Sequence, residues 1–481
     1  MKVPVVQNKQ KPLIFDKDRL FKRDPEELAI SRELYNAVAN LPIISPHGHT
    51  DPQWFAENEN FNNATELLIK PDHYVFRMLY SQGIKLEELG INRTDGGDVE
   101  QDSRKIWHVF AENYYLFHGT PSRMWMDYVF KEVFGFEVTL NKDTADYYYD
   151  KINQKLATDE FKPRALLDKF NIELLATTEH ATDELKHHGK LTGTGLENRV
   201  ITSFRPDDVI DPDHWNFSTS IVTLAEQTGE DIRNWQGYLR ALKARREYFI
   251  QHGATASDHG HPTARTANLS STECQTLLNK VLAGSATAEE RDLFRAQMLT
   301  EMAGMSLEDG LVMQIHPGVF RNHNQKLYQD FGTDKGCDIP VRTSYVDNLH
   351  PLLSKYGTES NLRIILFTLD ESTYARELAP LAGHYPCLKL GPAWWFNDSP
   401  EGMLRFRHNV TETAGFYNTV GFNDDTRAFL SIPSRHDVAR RIDCRFLAQL
   451  VAERRLSIDD AHTLAYDLSY RLAKEAYQRS K

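Results

Sequence analysis

Apolar residues along this chain fall into short consecutive runs, separated by longer stretches of helical period. Eight runs predict buried strands: PIISPH (42–47), IELLATT (172–178), RVITSF (199–204), ATASD (254–258), LVMQIH (311–316), RIILFTL (363–369), CLKLG (387–391) and TVGFND (419–424). Most are apolar at successive positions, the pattern of parallel strands covered on both faces. Helical segments such as DIRNWQGYLRALKARREYFIQHG and RHDVARRIDCRFLAQLVAERR lie between or after them. Strand and helix alternating eight times predict an α/β fold, a (β/α)8 TIM barrel.

The spacing of the runs is uneven. Between the first and second, aromatic and charged stretches such as RKIWHVFAENYYLF and RMWMDYVFKEVF read as helices. They predict a large helical insertion over 51–170, after the first strand, and a smaller one is expected over 259–310. With no Pro/Gly/Ser linker at either boundary, residues 1–481 read as a single metal-dependent barrel domain; a separate helical domain is the alternative.

Composition narrows the partners. The chain has 481 residues, 41% hydrophobic and 26% charged, with a formal net charge of −12. An acidic chain lacks the basic stripes that nucleic acid and anionic membranes select. Its four cysteines (Cys274, Cys337, Cys387 and Cys444) are scattered, so they form neither a CxxC pair nor a disulfide scaffold. The N-terminal stretch MKVPVVQNKQKPLIFDKDRLF lacks the apolar core of a signal peptide, and no segment approaches the ~18 apolar residues of a membrane span. The expected compartment is the cytoplasm.

Barrel enzymes carry their chemistry at the C-terminal ends of strands. The first run ends in HGH, the third is followed by RPDD, and the fourth runs into SDHGH. The fifth continues as HPGVFRNHN and the eighth as NDDTR. Residues i and i+2 of a strand point the same way, so His47 and His49 can bind one ion together. Zinc takes neutral imidazole nitrogens at about 2.0–2.1 Å, and a carboxylate from another strand would complete the protein's share. Alternation sends Asp424 and Asp425 to opposite sides, so one of the two faces the site. No lysine stands at these ends to bridge two ions; Arg205, Asp258 and His259 occupy the third and fourth ends instead, and a single ion is expected. Read alone, the histidine pair is a solvated surface loop; its placement at a strand end, with Asp-Asp closing the eighth run, turns the reading to a metal site.

At this point the residues resemble a known family. An HxH on the first strand with an Asp on the eighth resembles the amidohydrolase superfamily. The ordered motifs PHGH, PDHYVFRM, SFRPD, HGATASDHG, QIHPGVFRNHN, GPAWWFND and DDTRAFLSIPSRHDVARRI, from 42 to about 442, resemble more specifically the uronate (glucuronate) isomerases. Family members often carry an acidic or aromatic residue before or between the two histidines; Pro46 and Gly48 stand there in this chain. The resemblance implies one divalent metal, commonly Zn2+, held by His47, His49 and Asp425. It implies a catalytic set of Tyr74, Asp425, Arg427 and His47. His73, Arg77, Arg205, His316, Arg321 and either Trp394 or Trp395 would contact substrate. The partner it implies is a small anionic sugar acid, and the chain is expected to form a homo-oligomer.

The implied reaction interconverts an aldouronate and a ketouronate by proton transfer through a cis-enediol. Negative charge develops on oxygen, which preorganised cations can stabilise. Arginines suit a substrate carboxylate because the planar guanidinium pairs with it bidentately. Tyr74, as the proton-moving group, is expected to have its phenol pKa of about 10 lowered by Arg77 and the metal. Without its motif, Tyr74 would read as a helix residue packed on Met78. The rival reading is a metal-dependent hydrolase of the same superfamily, acting on an anionic lactone or amide through an activated water.

Overall fold

The computed structural model describes residues 11–479; the first ten residues of the N-terminal stretch lie outside the described residues. Among these, the main sheet has seven strands, all parallel: β1 Ile43–Ser45, β2 Ile172–His180, β3 Val200–Arg205, β4 Ala256–His259, β5 Val312–Ile315, β8 Ile364–Leu366 and β9 Leu388–Leu390. Their spatial order is their chain order, β1-β2-β3-β4-β5-β8-β9. Two short strands outside that sheet, β6 Val319–Phe320 and β7 Ile339–Pro340, pair antiparallel as a ribbon beyond the end of β5. The sequence pattern did not predict this ribbon.

The eighth expected strand is a correction. Residues 419–424 make one isolated parallel bridge, Thr419 to Leu390, rather than a regular strand. Gly421 has φ +73° and Asp425 φ +38°, and left-handed residues interrupt an extended ladder. The segment still fills the eighth place. Val420 N donates to Leu390 O at 3.1 Å on one side, and His49 N donates to Thr426 O at 3.0 Å on the other. The curled sheet thereby closes into a barrel.

Between β1 and β2 the chain is helical, with helices that include His73–Ser81, Ser103–Glu112, Pro121–Tyr128 and Ala145–Leu156. Their buried Trp107, Phe110, Phe130 and Tyr148 share one apolar core with Ile43, Ile172 and Leu175 of β1 and β2. That packing fixes the helices over the barrel mouth. Asp72 caps helix His73–Ser81 by accepting the Tyr74 N–H at 2.9 Å, satisfying a donor that a helix start leaves free. Between β4 and β5, helices Ser271–Leu282 and Ala288–Asp309 each begin with a capping box, Ser270/Glu273 and Thr287/Glu290. No helix among the described residues is long and apolar enough to cross a membrane.

Candidate active site

β1 delivers the histidine pair. Beyond Ser45, Thr178 of β2 donates from Oγ1 to Gly48 O at 3.0 Å, while His49 N is held by Thr426 O. The HGH segment is thus pinned from both neighbours, with the two rings 5.2 Å apart. Asp425 reaches them from the far end of the closing segment. Its Oδ1 lies 3.5 Å from His47 Nε2 and 3.2 Å from His49 Nε2. Donors about 2.1 Å from one ion lie at most about 4.2 Å apart; both His–Asp distances meet that limit, and all three donor atoms lie within 4.8 Å of one another. The other oxygen, Oδ2, accepts Trp394 Nε1–H at 2.6 Å. Burial pushes His47 down to about 4, which keeps its imidazole neutral and able to coordinate. Burial alone would raise Asp425; His47 and His49 outweigh it and hold the carboxyl well below its usual range. Its left-handed backbone is a strained conformation for an aspartate, of the kind that surrounding structure maintains at functional sites.

A second group adjoins the first. His316 stacks on His47 at 4.8 Å, and its Nδ1 lies 2.7 Å from Asp258 Oδ1. Its Nε2 is buried without a partner among the described residues. Asp258 Oδ2 lies 3.4 Å from Arg205 Nε, which also donates to Asp207 Oδ2 at 3.0 Å. Asp207, His259 and His261 bring three donors together as well. The Asp207 carboxylate, however, is already committed to Arg205 and to the Gly260 N–H, so it reads as an ion-paired anchor for Arg205. His259 is fully buried, with Nε2 3.1 Å from Ser257 Oγ.

Tyr74 needs a correction. Its pKa is raised well above 10, not lowered; burial dominates and the Asp398 carboxylate adds to it. The hydroxyl donates to Asp398 Oδ1 at 3.1 Å and accepts the Phe396 N–H at 3.2 Å. The guanidinium acting on it is that of Arg435, which donates to Asp398 Oδ2 at 2.8 Å. Arg77 is placed differently: its guanidinium lies 4.8 Å from the Phe396 ring and 5.9 Å from the Tyr74 ring, and it is not among the residues lining the cavity. Burial, with Arg427 nearby, drives His73 down to about 3.

The groups converge on one cavity of about 760 Å³ at the C-terminal ends of the strands. His47, His49, His73, Tyr74, Arg205, His316, Arg321, Trp394, Trp395, Asp425 and Arg427 all line it. The adjacent tryptophans, inseparable by sequence, diverge. Trp394 is bonded to Asp425, whereas the Trp395 ring lies beside His73 and 5.7 Å from the Arg321 guanidinium. Each lining arginine already has a carboxylate: Arg321 with Asp338 at 2.9 Å, Arg427 with Asp334 at 3.2 Å, Arg435 with Asp398. Asp424, the twin of Asp425, accepts from His436 Nε2 at 3.0 Å. Sequence reasoning missed Asp398, Arg435, Asp334 and Asp338. The first two stand inside the recognised motifs, at the end of WWFND and in SRHDVARR; the last two lie on the loop before and at β7 that no motif covers.

With this geometry in place, the relatives of the chain can be set beside it. The family model described as glucuronate isomerase matches residues 22–477. A uronate isomerase of Xanthomonas axonopodis pv. citri is 60% identical over 461 residues, covering 96% of this chain and 98% of its own. One of Rhizorhabdus wittichii is 61% identical over 467 residues, covering 97% and 99%. Among solved structures, glucuronate isomerase from Caulobacter crescentus superposes with a TM-score of 0.95 at 58% identity, over 97% of both chains. Uronate isomerase from Thermotoga maritima gives 0.89 at 26% identity, over 96% of this chain and 99% of that one. With near-complete coverage in both sequence and structure, the chain belongs to the uronate (glucuronate) isomerase family.

Proposed function

We propose that this chain is a uronate isomerase that interconverts an aldouronate and a ketouronate, D-glucuronate with D-fructuronate or D-galacturonate with D-tagaturonate, through a cis-enediol. The observation that carries the reading is that a half-buried phenol, Tyr74, lines the same cavity as the His47–His49–Asp425 donor set. A hydrolase needs the donor set; only an isomerase also needs a group that carries a proton between adjacent carbons. Hydrolysis is accordingly not favoured.

His47, His49 and Asp425 would hold one divalent ion, zinc by the nature of its nitrogen and carboxylate donors. Bound there, it would supply Lewis-acid polarisation of the substrate oxygens near the reacting carbon. The other steps belong to the protein. Asp425 takes the hydroxyl proton as the sugar ring opens. Tyr74 removes the proton from C2 and returns it at C1. Arg427, on the residue pair after Asp425, stabilises the charge that develops on the enediol oxygen. Arg205 and Arg321 receive the substrate carboxylate, and Trp395 supplies an apolar wall beside them. His73, uncharged at neutral pH, contributes a neutral imidazole. The cytoplasm is the compartment that suits four buried, unpaired cysteines.

The test replaces His47 or Asp425 by alanine and measures bound metal together with isomerase rate on D-glucuronate and D-galacturonate. Both quantities are expected to collapse. Full activity in both variants would remove the metal assignment, and a wild-type enzyme inert on every uronate would remove the reading itself. In D2O, solvent deuterium at product C1 is the expected mark of an enediol.

A further inference from the structure

The surroundings of Tyr74 specify how a phenol that stays neutral can act as a base. A tyrosine hydroxyl has one proton to donate and two lone pairs to accept with. Here the proton is directed at Asp398, whose oxygens lie 3.1 and 3.2 Å away. One lone pair takes the Phe396 N–H at 3.2 Å. Among the described residues no second donor reaches that oxygen, on a residue that lines the cavity.

Both partners are held in place. Phe396 sits at φ +62°, a left-handed conformation that a bulky residue rarely adopts. This strained backbone aims the N–H at the phenolic oxygen. Asp398 is fixed by Arg435, which is buried, stacked 3.6 Å over the Trp125 ring and tied through Nε to Ser431 Oγ at 3.1 Å. The other charged and titratable groups around Tyr74 are differently engaged. Asp72 receives the Tyr74 backbone N–H, the His73 ring stacks 5.1 Å away, and the Arg77 guanidinium lies against Phe396.

We infer that Asp398 is the proton acceptor behind Tyr74, so that the two move the proton as a relay and not as a lone phenolate. The inference rests on the isomerase reading. As Tyr74 Oη takes the proton from C2, its own proton passes to the Asp398 carboxylate. The C2–H electron pair becomes the C1=C2 bond, and the carbonyl pair settles on O1 as an enediolate. The O2 proton then moves to O1 and its electron pair forms the C2 carbonyl. The C1=C2 pair takes the Tyr74 proton to make the new C1–H bond, and Asp398 returns its proton to Tyr74. Over one turnover the tyrosine and the carboxylate end as they began.

The experiment is a double-variant cycle on the metal-loaded enzyme: Asp398→Asn, Tyr74→Phe and the pair together. A base that contributes 10²–10⁴-fold in rate sets the scale. Asp398→Asn is expected to lower kcat by at least about 100-fold while KM stays within about threefold. The pair is expected to be no slower than the slower single variant, because residues that act as a unit are not additive. A kcat within threefold of wild type, or losses that multiply in the pair, overturns the inference. If Asp398→Asn fails to fold, Asp398→Glu carries the test, since it keeps a charge for Arg435 but displaces the accepting oxygens. It is expected to lose at least tenfold in kcat at unchanged KM, and wild-type kcat there overturns the relay. An active wild type with a normal Asp398→Asn defeats only this inference; a wild type inert on uronates defeats the reading beneath it.

Discussion

Trp394→Phe isolates the contact that orients the proposed metal ligand Asp425. The Nε1–H to Oδ2 bond is 2.6 Å long, and the Trp394 side that makes it is buried. Phenylalanine keeps an aromatic ring for the neighbours of Trp394, His316 at 4.7 Å and Phe367 at 6.2 Å, but removes the donor. A hydrogen bond to a charged acceptor contributes about 1.5–3 kcal/mol net. At about 1.4 kcal/mol per decade, that is a factor of roughly 10–100 in an equilibrium constant. It matches the usual effect of losing a group that orients a metal ligand. Without the donor, Asp425 can rotate Oδ1 away from His47 and His49. The expected result is zinc affinity weaker by 10–100-fold, read by competition with a chromophoric chelator. A parallel urea titration of the metal-free variant should show a loss of about 1.5–3 kcal/mol, because the hydrogen bond is present without the ion. Zinc affinity within twofold of wild type in a folded variant would refute the reasoning, because Asp425 would then be held without Trp394.

Three further outcomes follow from other parts of the structure. Arg407→Met breaks a buried, two-point ion pair with Asp443 (2.6 and 2.9 Å) between helices Pro400–Ala414 and Ile432–Ala452; it should cost about 3–5 kcal/mol in urea denaturation, because a lone buried carboxylate remains. Gly260→Ala places a Cβ 2.6 Å from Arg205 Nη2 and 2.9 Å from Asp207 Oδ2, so it should raise KM for a uronate about tenfold or more with a smaller change in kcat. Burial drives His73 and His259 to about 3 and His188 to about 4, below the unfolded value of about 6.5. The unfolded chain therefore binds these protons first: the stability is complete above about pH 6.5 and drains as pH falls toward the folded values. Metal-free protein should lose about 1.4 kcal/mol per histidine by pH 5.5, seen as a falling urea midpoint, and a midpoint unchanged from pH 7.5 to 5.5 would contradict it.

What the chain disclosed in advance follows the range over which its signals act. The His47–Gly48–His49 spacing is local, so the pair itself was legible; both histidines stand past the end of β1 at Ser45, however, and it is Thr178 and Thr426 that pin the segment, not strand alternation. Seven of the eight apolar runs, equally local signals, became strands. TVGFND misled because Val420 and Phe422 are apolar as a strand requires, while Gly421 and Asp425 turn left-handed, a backbone choice that hydrophobicity does not record. Tyr74 was found through its motif, but its electrostatics were misassigned to Arg77, one helical turn away. The groups that set them, Asp398 and Arg435, come from the far end of the chain, Asp398 some 324 residues along it. They meet Tyr74 only because the helices after β1 fold back over the mouth, and no periodicity encodes that contact. Strands of two residues, as in β6 and β7, are too short to leave a pattern at all.

The arginine cluster acquires a different meaning once its partners are known. Four guanidiniums around an anionic substrate would look like a surplus of positive charge in an acidic chain. In the structure each is already paired, and the cavity lining carries ten aspartates against these four arginines before any ligand enters. A substrate carboxylate must then exchange with an internal one, and the exchange is cheapest where the existing pair is weakest. Arg205 is held between Asp207 and Asp258, both buried, and Arg435 is held by Asp398 and Trp125; removing either from its partner strands a buried charge. The Arg427–Asp334 pair is the opposite case, with side chains 39% and 45% exposed at 3.2 Å, where water screens the attraction and an ion pair contributes little. Arg321, 38% exposed against a buried Asp338, lies between these extremes. The paired arginines therefore divide by burial: Arg435 is a fixed wall, Arg205 keeps its two aspartates on Nε and offers a substrate carboxylate its remaining donors, and Arg427 is free to turn from Asp334 to the developing enediol charge. It is also the residue two places from Asp425, and so the one whose release from Asp334 would coincide with charge arriving beside the proposed metal ligands.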